Sequence, residues 1–182
     1  MTTAAALVRA RLGGAVLLGA SVELDEEILR VDRSRLLQVL QFLKLDPDAA
    51  FDAFVDVTAI DFLLAPPRTM PTRFLLVIAL RSRRFGTRLR VHVDLAEEDA
   101  SYPSLTSLHP AAKRYERELF EMFGLVPEGH PRLRPFILYE GFVGHPLRKD
   151  YRAEKAQPLS PKRDDAPGVI IDGTAHSPSE HA

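Results

Sequence analysis

Two neighbouring strand patterns in the middle of the sequence predict an antiparallel β-hairpin. Residues 73–81 are almost entirely apolar, and residues 87–94 alternate between apolar and polar side chains, the period of a strand with one buried face. Phe85 and Gly86 lie between the two patterns and supply a turn. The predicted inward positions of the second strand are Leu89, Val91 and Val93, and the outward ones are Arg88, Arg90, His92 and Asp94. The chain therefore requires a fold that contains a β-sheet.

Helix and strand patterns flank the predicted hairpin on both sides. Asp32 is suited to cap a helix over residues 33–43, whose apolar side chains form one stripe. Pro110 suits the entry of another helix, over residues 111–123, and Gly124 ends it. The other predicted elements are a helix over 3–12 and strands over 15–22, 28–31 and 54–60. Helices combined with several strands predict the α+β class, with a small antiparallel or mixed sheet packed against helices.

The sequence divides into three parts of different composition. Residues 1–124 carry the helix and strand patterns and are predicted to form the α+β domain. Residues 125–151, which we call the docking segment, are rich in Gly and Pro without a regular period, so we expect them to be ordered only against another surface. Residues 152–182 are polar and Pro-rich and are predicted to form an extended or mobile tail.

The composition excludes several kinds of chemistry. The 182 residues include no Cys, which excludes disulfides, thiolate nucleophiles and iron–sulfur clusters held by cysteine. The formal net charge of −1 gives no overall attraction to nucleic acid. Seven Arg and no acid occur between residues 68 and 90, a pattern that we interpret as a solvated sheet face. The longest apolar run, residues 74–80, is far shorter than the roughly 20 residues of a membrane-spanning helix, so we expect a soluble, cytoplasmic chain that meets a membrane only through partners.

Glu116 occupies an unusual position on the predicted helix 111–123. At about 100° per residue it falls among apolar residues, whereas Glu121 falls on the opposite, polar side. A carboxylate on an apolar face reaches past its neighbours to water, pairs with a cation or lies at a contact with another protein, because burial without a partner is costly. Three cations downstream are candidates for such a pair: Arg134, Arg148 and Lys149.

Two Gly-His-Pro triplets, at residues 129–131 and 144–146, present His130 and His145 on rigid turns. With Glu116 these two His form a candidate metal set, so a stand-alone metal-dependent hydrolase is one alternative; bonding of each His to a backbone carbonyl is the other. Asp61 forms a candidate carboxylate pair with Asp56, but a cap at a strand end is the simpler interpretation. No phosphate-binding glycine loop or nucleophile elbow occurs, so the residues alone reveal no self-sufficient active site.

Three stretches of the sequence resemble one known family. Residues 115–124 read YERELFEMFG, residues 129–131 read GHP, and residues 141–151 read GFVGHPLRKDY. In this combination they closely resemble the 30 kDa subunit of respiratory complex I, the C subunit of bacterial NADH-quinone oxidoreductase. Weaker similarity extends the resemblance over roughly residues 30–151. The chain departs from the family pattern at Arg114, where Trp is usual, and at Glu121, where Asp is usual.

The resemblance implies a subunit with no catalytic residue, cofactor or metal of its own. It implies a place in the peripheral arm of complex I, on the cytoplasmic side of the bacterial inner membrane, against the 49 kDa-type subunit (the D subunit) and the cluster-bearing B subunit. That enzyme passes electrons from NADH through FMN and iron–sulfur clusters, all in partner subunits, to quinone and translocates protons, so the isolated chain is expected to be inert. The homologous subunit of an energy-converting hydrogenase or a formate-oxidising complex is the alternative. The residues assigned to partner docking are Glu116, Arg117, Glu118, His130, Arg134, His145, Arg148, Lys149 and Asp150.

Overall fold

The fold combines α-helices with two β-sheets in the residues that the computed structural model describes, 2–63, 72–139 and 141–152. In chain order the elements are α1 (Ala4–Leu12), β1 (Leu17–Glu23), β2 (Glu26–Val31), α2 (Leu36–Leu45), β3 (Ala53–Asp61), β4 (Phe74–Arg81), β5 (Arg88–Leu95), β6 (Ser101–Pro103), α3 (Ala112–Phe123) and β7 (Val126–Glu128). The predicted α+β class is confirmed. None of the helices in these ranges is long and apolar enough to cross a membrane. The predicted tail lies outside the described residues, except for Arg152.

The main sheet has five strands in the order β1-β2-β5-β4-β3. The strands β2 and β5 run parallel, and the other neighbours run antiparallel, so the sheet is mixed as predicted. The central pair, β4 and β5, is the predicted hairpin, with Ile78 opposite Val91. Along β5 the apolar side chains are buried and the polar ones are at least partly exposed, so the period-2 pattern identified both the strand and its inner face.

The hydrophobic core lies between one face of this sheet and the three helices. The strongest contribution from a helix is that of α2, whose inward side chains Leu36, Val39, Leu40 and Leu43 are all 0% exposed. Each such side chain stabilises the fold by about 1.5–3 kcal/mol relative to an exposed position. The helix α3 packs on β3, and the docking segment bonds to α3.

The observed elements differ from the predicted ones mainly at their ends. The predicted helix 33–43 begins as a 3-10 turn, Arg33–Arg35, before α2 starts at Leu36. Asp32 is nevertheless the cap, since its side chain accepts a hydrogen bond from the N–H of Ser34. The predicted strand 15–22 begins only at Leu17, because Gly14–Val16 forms another 3-10 turn.

A short strand follows α3 where the sequence predicts no regular element. As predicted, α3 ends at Gly124, whose φ of 74° is left-handed. The next residue, Leu125, is fully buried, and β7 then pairs in parallel with β6. Strands of three residues are too short to show an alternating pattern, which is why the sequence does not reveal them. Their pairing directs the remainder of the docking segment back along α3.

Candidate functional site

Three groups of contacts hold the docking segment against the domain, and together they form the candidate functional site. Residues 129–139 and 141–151 contain no helix or strand. Their path is therefore set by side chains of the domain that bond to their backbone, and by side chains of the segment that bond to the domain. The three groups surround Glu121 on α3, His145 beside Gly124, and a cluster of charges at the ends of β3 and β4.

Glu121 holds the middle of the docking segment. Its Oε1 accepts hydrogen bonds from the backbone N–H groups of Phe136, Ile137 and Leu138 at 2.9–3.1 Å, and its Oε2 accepts another from Ile137 at 3.1 Å. Although Glu121 lies on the polar side of the predicted helix, it is only 4% exposed. The helical wheel identifies the side of α3 that is away from the sheet, but the docking segment covers part of that side. The carboxylate of Glu121 accepts hydrogen bonds from backbone N–H groups of the docking segment, which have no partner in a helix or strand.

His145 connects the second Gly-His-Pro triplet to the C-terminal end of α3. Its Nδ1 donates to the backbone oxygen of Glu121 at 2.9 Å, and the N–H of Leu147 donates to the backbone oxygen of Met122 at 3.0 Å. Carbonyl groups in the last turn of a helix have no partner within the helix, so these two bonds cap α3. The imidazole ring lies directly against Gly124, where an added Cβ would lie 2.6 Å from Nε2. Only glycine permits this contact.

His130 also bonds to the backbone. Its Nε2 lies 3.0 Å from the backbone oxygen of Lys113, and its Nδ1 accepts a hydrogen bond from the N–H of Arg132 at 3.1 Å. The backbone interpretation is thus confirmed for His130 and His145. Within the described residues no group of three His, Asp or Glu side chains is placed to hold a metal ion. The metal set of the hydrolase alternative is therefore not assembled there.

Five charged side chains join the end of the docking segment to the sheet. Arg73 is central, since its Nη2 lies 2.9 Å from Asp61 Oδ2 and 2.6 Å from Asp150 Oδ1. Its Nη1 contacts Glu97, which also accepts a hydrogen bond from Arg148 Nη2 at 2.8 Å. We call this set the charge cluster: Asp61, Arg73, Glu97, Arg148 and Asp150. It links the end of β3, the residue before β4, the loop after β5 and the end of the docking segment.

The charge cluster has a buried centre and a partly exposed rim. The side chains of Asp61 and Arg73 are 0% and 6% exposed, whereas those of Glu97 and Asp150 are 44% and 49% exposed. Burial by itself raises the pKa of Asp61, but hydrogen bonds from Arg73 and from the N–H groups of Lys149 and Leu63 outweigh burial and lower the pKa. The bond from Leu63 confirms Asp61 as a cap at a strand end. The solvated interpretation of the arginines is wrong for Arg73, because the docking segment folds over it.

Glu116 is fully buried and bonds within its own domain. Its Oε1 accepts a hydrogen bond from the N–H of Leu105 at 2.6 Å, and its Oε2 accepts one from Ser104 Oγ at 2.7 Å. Of the three alternatives for this carboxylate, pairing with a cation is not observed among the described residues, since Arg134, Arg148 and Lys149 form no ion pair with it. Burial raises the pKa of Glu116, although these two hydrogen bonds act in the opposite direction. Glu116 therefore affects a partner only through the loop after β6 that it holds.

Substitution of Glu116 separates the need for hydrogen bonds from the need for charge. We expect Glu116→Ala to lower the free energy of unfolding by about 2–4 kcal/mol, because it leaves the Leu105 N–H unpaired and opens a cavity. Glu116→Gln retains an acceptor for Leu105, so we expect a smaller loss.

The pH dependence gives a second test of Glu116. A carboxyl whose pKa is raised on folding loses stabilising free energy as pH rises above its unfolded pKa of about 4.3. Urea denaturation at several pH values should therefore show Glu116→Gln gaining stability relative to wild type from about pH 4 toward pH 7. A Gln variant as unstable as the Ala variant at every pH would contradict this account.

The other residues that the sequence predicts to dock partners lie around these contacts. Arg117 donates from Nε to the backbone oxygen of Arg134 at 2.8 Å and lies over the Phe136 ring at 4.4 Å. Glu118 and Lys149 both have exposed side chains, and Lys149 enters the site through its backbone N–H. Sequence reasoning did not identify Arg73, Glu97 and Glu121 as site residues. For Glu121 the sequence contains one signal, an acid within the motif of residues 115–124. For Arg73 it contains none, because the partners of Arg73 are far from it in sequence.

Comparison with known proteins identifies the family. The family model described as "Respiratory-chain NADH dehydrogenase, 30 Kd subunit" matches residues 29–157. The chain belongs to this family. The matched range of the 30 kDa subunit family includes the strands from β3 to β7, the helices α2 and α3 and the described docking segment.

Curated relatives in this family carry one name. The C subunit of NADH-quinone oxidoreductase from Xanthobacter autotrophicus is 41% identical over 147 residues, which are 81% of this chain and 67% of the relative. The C subunit from Cereibacter sphaeroides is 41% identical over 147 residues, which are 81% of this chain and 70% of the relative. The C subunit from Methylobacterium sp. is 41% identical over 140 residues, which are 77% of this chain and 62% of the relative.

Two solved structures share the fold of this 30 kDa subunit family member. A trypsin-resistant fragment of Nqo5, residues 1–134, matches with a TM-score of 0.58 and 31% identity over 70% of this chain and 96% of that fragment. A chain from the membrane-bound sulfane sulfur reductase, an archaeal respiratory membrane complex, matches with a TM-score of 0.65 and 25% identity over 81% of this chain and 85% of that chain. The family resemblance drawn from the three sequence stretches is confirmed.

Proposed function

We propose that this chain is a non-catalytic subunit of the peripheral arm of a proton-translocating NADH-quinone oxidoreductase. The observation that carries the proposal is the similarity to the C subunit of that enzyme over 81% of the chain. The docking segment supplies the physical role, since it is a second layer on the domain rather than part of its core. In this role the chain contributes a shaped surface, and the redox chemistry takes place elsewhere.

The exposed side of the docking segment supports a role in assembly. Five large apolar side chains of the docking segment are 37–64% exposed: Val126, Ile137, Tyr139, Val143 and Leu147. Exposed apolar surface of this extent in one short segment is typical of protein–protein contacts. The contacts of Glu121, His145 and the charge cluster hold the backbone of the segment in place, so less conformational entropy is lost when a partner binds.

The composition is consistent with cofactors in other subunits. A chain without Cys supplies no thiolate to an iron–sulfur cluster. On our proposal FMN and the clusters belong to partner subunits, the isolated chain is catalytically inert, and its neighbours are the 49 kDa-type D subunit and the cluster-bearing B subunit. The complex then holds the chain on the cytoplasmic side of the bacterial inner membrane.

A related complex is the second candidate. The similarity to a chain of the archaeal sulfane sulfur reductase favours a wider set of membrane-bound respiratory complexes, including energy-converting hydrogenases and formate-oxidising complexes. The candidates differ in their expected partners, because only an NADH-quinone oxidoreductase needs flavin- and NADH-binding subunits.

Co-purification tests the proposed function. We expect an affinity-tagged chain, expressed in place of the native one, to bring down the D and B subunits together with the flavin- and NADH-binding subunits from detergent-solubilised membranes. Recovery of proteins resembling the D and B subunits with a hydrogenase or reductase set would favour the second candidate. A chain that purifies alone would contradict both.

A charge reversal at Lys149 tests the docking surface within that experiment. The Lys149 side chain is exposed and its fold contact is made through the backbone, so Lys149→Glu should leave the domain folded. We expect about a tenfold loss of recovered partner subunits, because a reversed charge opposes a complementary surface. Arg9→Glu is the matched control, since Arg9 is an exposed cation on α1, outside the docking segment. Equal recovery with both variants would remove Lys149 from the docking surface.

A further inference from the structure

A cavity lies between α3 and the docking segment. Its volume is about 610 Å³, large enough for a side chain of any size. Half of its ten lining residues are large and apolar or aromatic: Phe120, Pro135, Leu138, Tyr139 and Phe142. A concave site with apolar walls that are held in place is well suited to bind one apolar side chain.

Hydrogen bonds hold the walls of this cavity. Glu121 bonds to the backbone of residues 136–138 along one wall, and His145 bonds to the end of α3 at another. Tyr139 and Phe142 pack edge to face with their ring centres 5.4 Å apart. The cavity is therefore already formed without a partner.

Three arginines lie around residues 134–136, next to the cavity. Arg114 and Arg117 both lie over the Phe136 ring, at 5.6 and 4.4 Å, and the exposed Arg134 lines the cavity itself. Among the described residues, no acid lies within ion-pair distance of these three guanidinium groups. Glu118 lies on the same helix without pairing with them, and the carboxylate of Glu121 is turned to backbone amides. Within the part of the chain that the structure describes, the surface next to the cavity is thus cationic, and Arg134 is the arginine that lines the cavity itself.

We infer that the cavity is the seat of a partner-protein segment that inserts one aliphatic or aromatic side chain and places a carboxylate beside Arg134. The apolar walls select the inserted side chain, and the arginine group selects the acid next to it. This inference rests on the proposed function, since it names the chemistry of the partner segment that the docking segment receives. Seated apolar anchors flanked by paired charges are the contacts that dominate the binding free energy of many interfaces.

Site-specific photo-crosslinking in the assembled complex tests the occupant. Tyr139 is replaced by p-benzoylphenylalanine, which keeps an aromatic ring at the cavity wall, and crosslinked peptides are identified after irradiation of intact membranes. Phe85, at the turn between β4 and β5, is the control position, because it is 37% exposed, as Tyr139 is. We expect the Tyr139 position to crosslink to one peptide of a co-purifying subunit, in which a large apolar residue lies within a few positions of Asp or Glu.

Three other results would overturn the inference about the cavity, and two of them would leave the proposed function unaffected. A crosslink to residues 153–182 of this chain, to a second copy of it, or to a peptide without an acid would show that the cavity has another occupant. A chain that co-purifies with the NADH-quinone oxidoreductase subunits but gives no Tyr139 crosslink would overturn the cavity and leave the proposed function intact. A chain that purifies alone would overturn both.

A charge exchange tests the assigned carboxylate. Arg134→Glu is expected to reduce the Tyr139 crosslink about tenfold, because like charges then meet at the cavity. Arg132→Glu, in the same segment but outside the cavity lining, is expected to retain it. Replacement of the identified acid of the partner by lysine should restore the crosslink in the Arg134→Glu variant. An unchanged crosslink in Arg134→Glu, or no restoration by the exchange, would overturn the pairing with Arg134.

Discussion

Replacement of Arg73 by alanine is expected to lower the free energy of unfolding by about 3–5 kcal/mol. The variant leaves the fully buried Asp61 carboxylate without its cation and removes the group that connects the start of β4 to Asp150 of the docking segment. Breaking a buried ion pair costs this much because the remaining charge stays desolvated and unpaired. The N–H groups of Leu63 and Lys149 still bond to Asp61, so we expect the variant to remain folded.

Urea denaturation of the purified chain at neutral pH measures this effect. Arg90→Ala is the matched control, since Arg90, on β5, also forms an ion pair, with Glu26 at 2.7 Å, but its side chain is 40% exposed. Exposed ion pairs contribute little, so we expect the control to change stability by less than about 1 kcal/mol. Equal effects of the two variants would contradict the buried-pair account of the charge cluster.

At acidic pH the difference in the free energy of unfolding between Arg73→Ala and wild type should disappear. Because the pKa of Asp61 is lowered on folding, the stabilisation is present above its unfolded pKa of about 3.9 and is lost as pH falls through the folded pKa. We therefore expect the two stability curves to converge below about pH 4. A difference that stays constant into acid would assign the effect of Arg73 to packing over the Phe74 ring instead of its charge.

Replacement of Gly124 by alanine is the second large expected effect, about 2–4 kcal/mol. The φ of 74° strains any residue with a Cβ, and the new Cβ would lie 2.6 Å from Nε2 of His145. The ring must then move, which breaks its hydrogen bond to the backbone oxygen of Glu121. Urea denaturation and hydrogen exchange of the Leu147 amide, which bonds to Met122, report the loss of this contact.

Gly86 provides the control for the backbone strain. Its φ of 69° is similar, but an added Cβ would meet nothing within 4 Å, so Gly86→Ala is expected to cost only about 1–2 kcal/mol. In a His145→Ala background, the cost of Gly124→Ala should fall toward that of Gly86→Ala, because the two residues then no longer collide. Purely additive effects of the two substitutions would show that the ring and the glycine are not coupled.

Local sequence patterns predicted most of the domain. The hairpin of β4 and β5 was evident because alternation and a Phe-Gly turn are both local signals. The end of α3 was evident because glycine, here Gly124, accepts a left-handed φ without strain. The strands β6 and β7 were not predicted, because three residues carry no period. Their existence depends on the pairing of residues that are 25 positions apart, such as Ser101 and Val126.

The candidate site was only partly predictable for the same reason. The position of Glu116 on the apolar side of α3 follows from the helical period, and its burial confirmed that position. Its partners Ser104 and Leu105 do not follow from that period, since they lie in the loop before the helix. The sequence also placed Glu121 on the polar side of the helix, without an indication that the docking segment covers it.

The sequence by itself determined the class of the fold, the existence and type of its longer elements, the family motifs and the absence of Cys, because each of these is a property of neighbouring residues or of composition. Only the tertiary structure joined Arg73 to Asp61 and to Asp150, which lie 12 and 77 positions from it. Only the tertiary structure placed Gly124 against His145 and Glu121 beneath the docking segment. Such contacts depend on how the chain returns over its own surface, and a helical or strand period contains no information about that path.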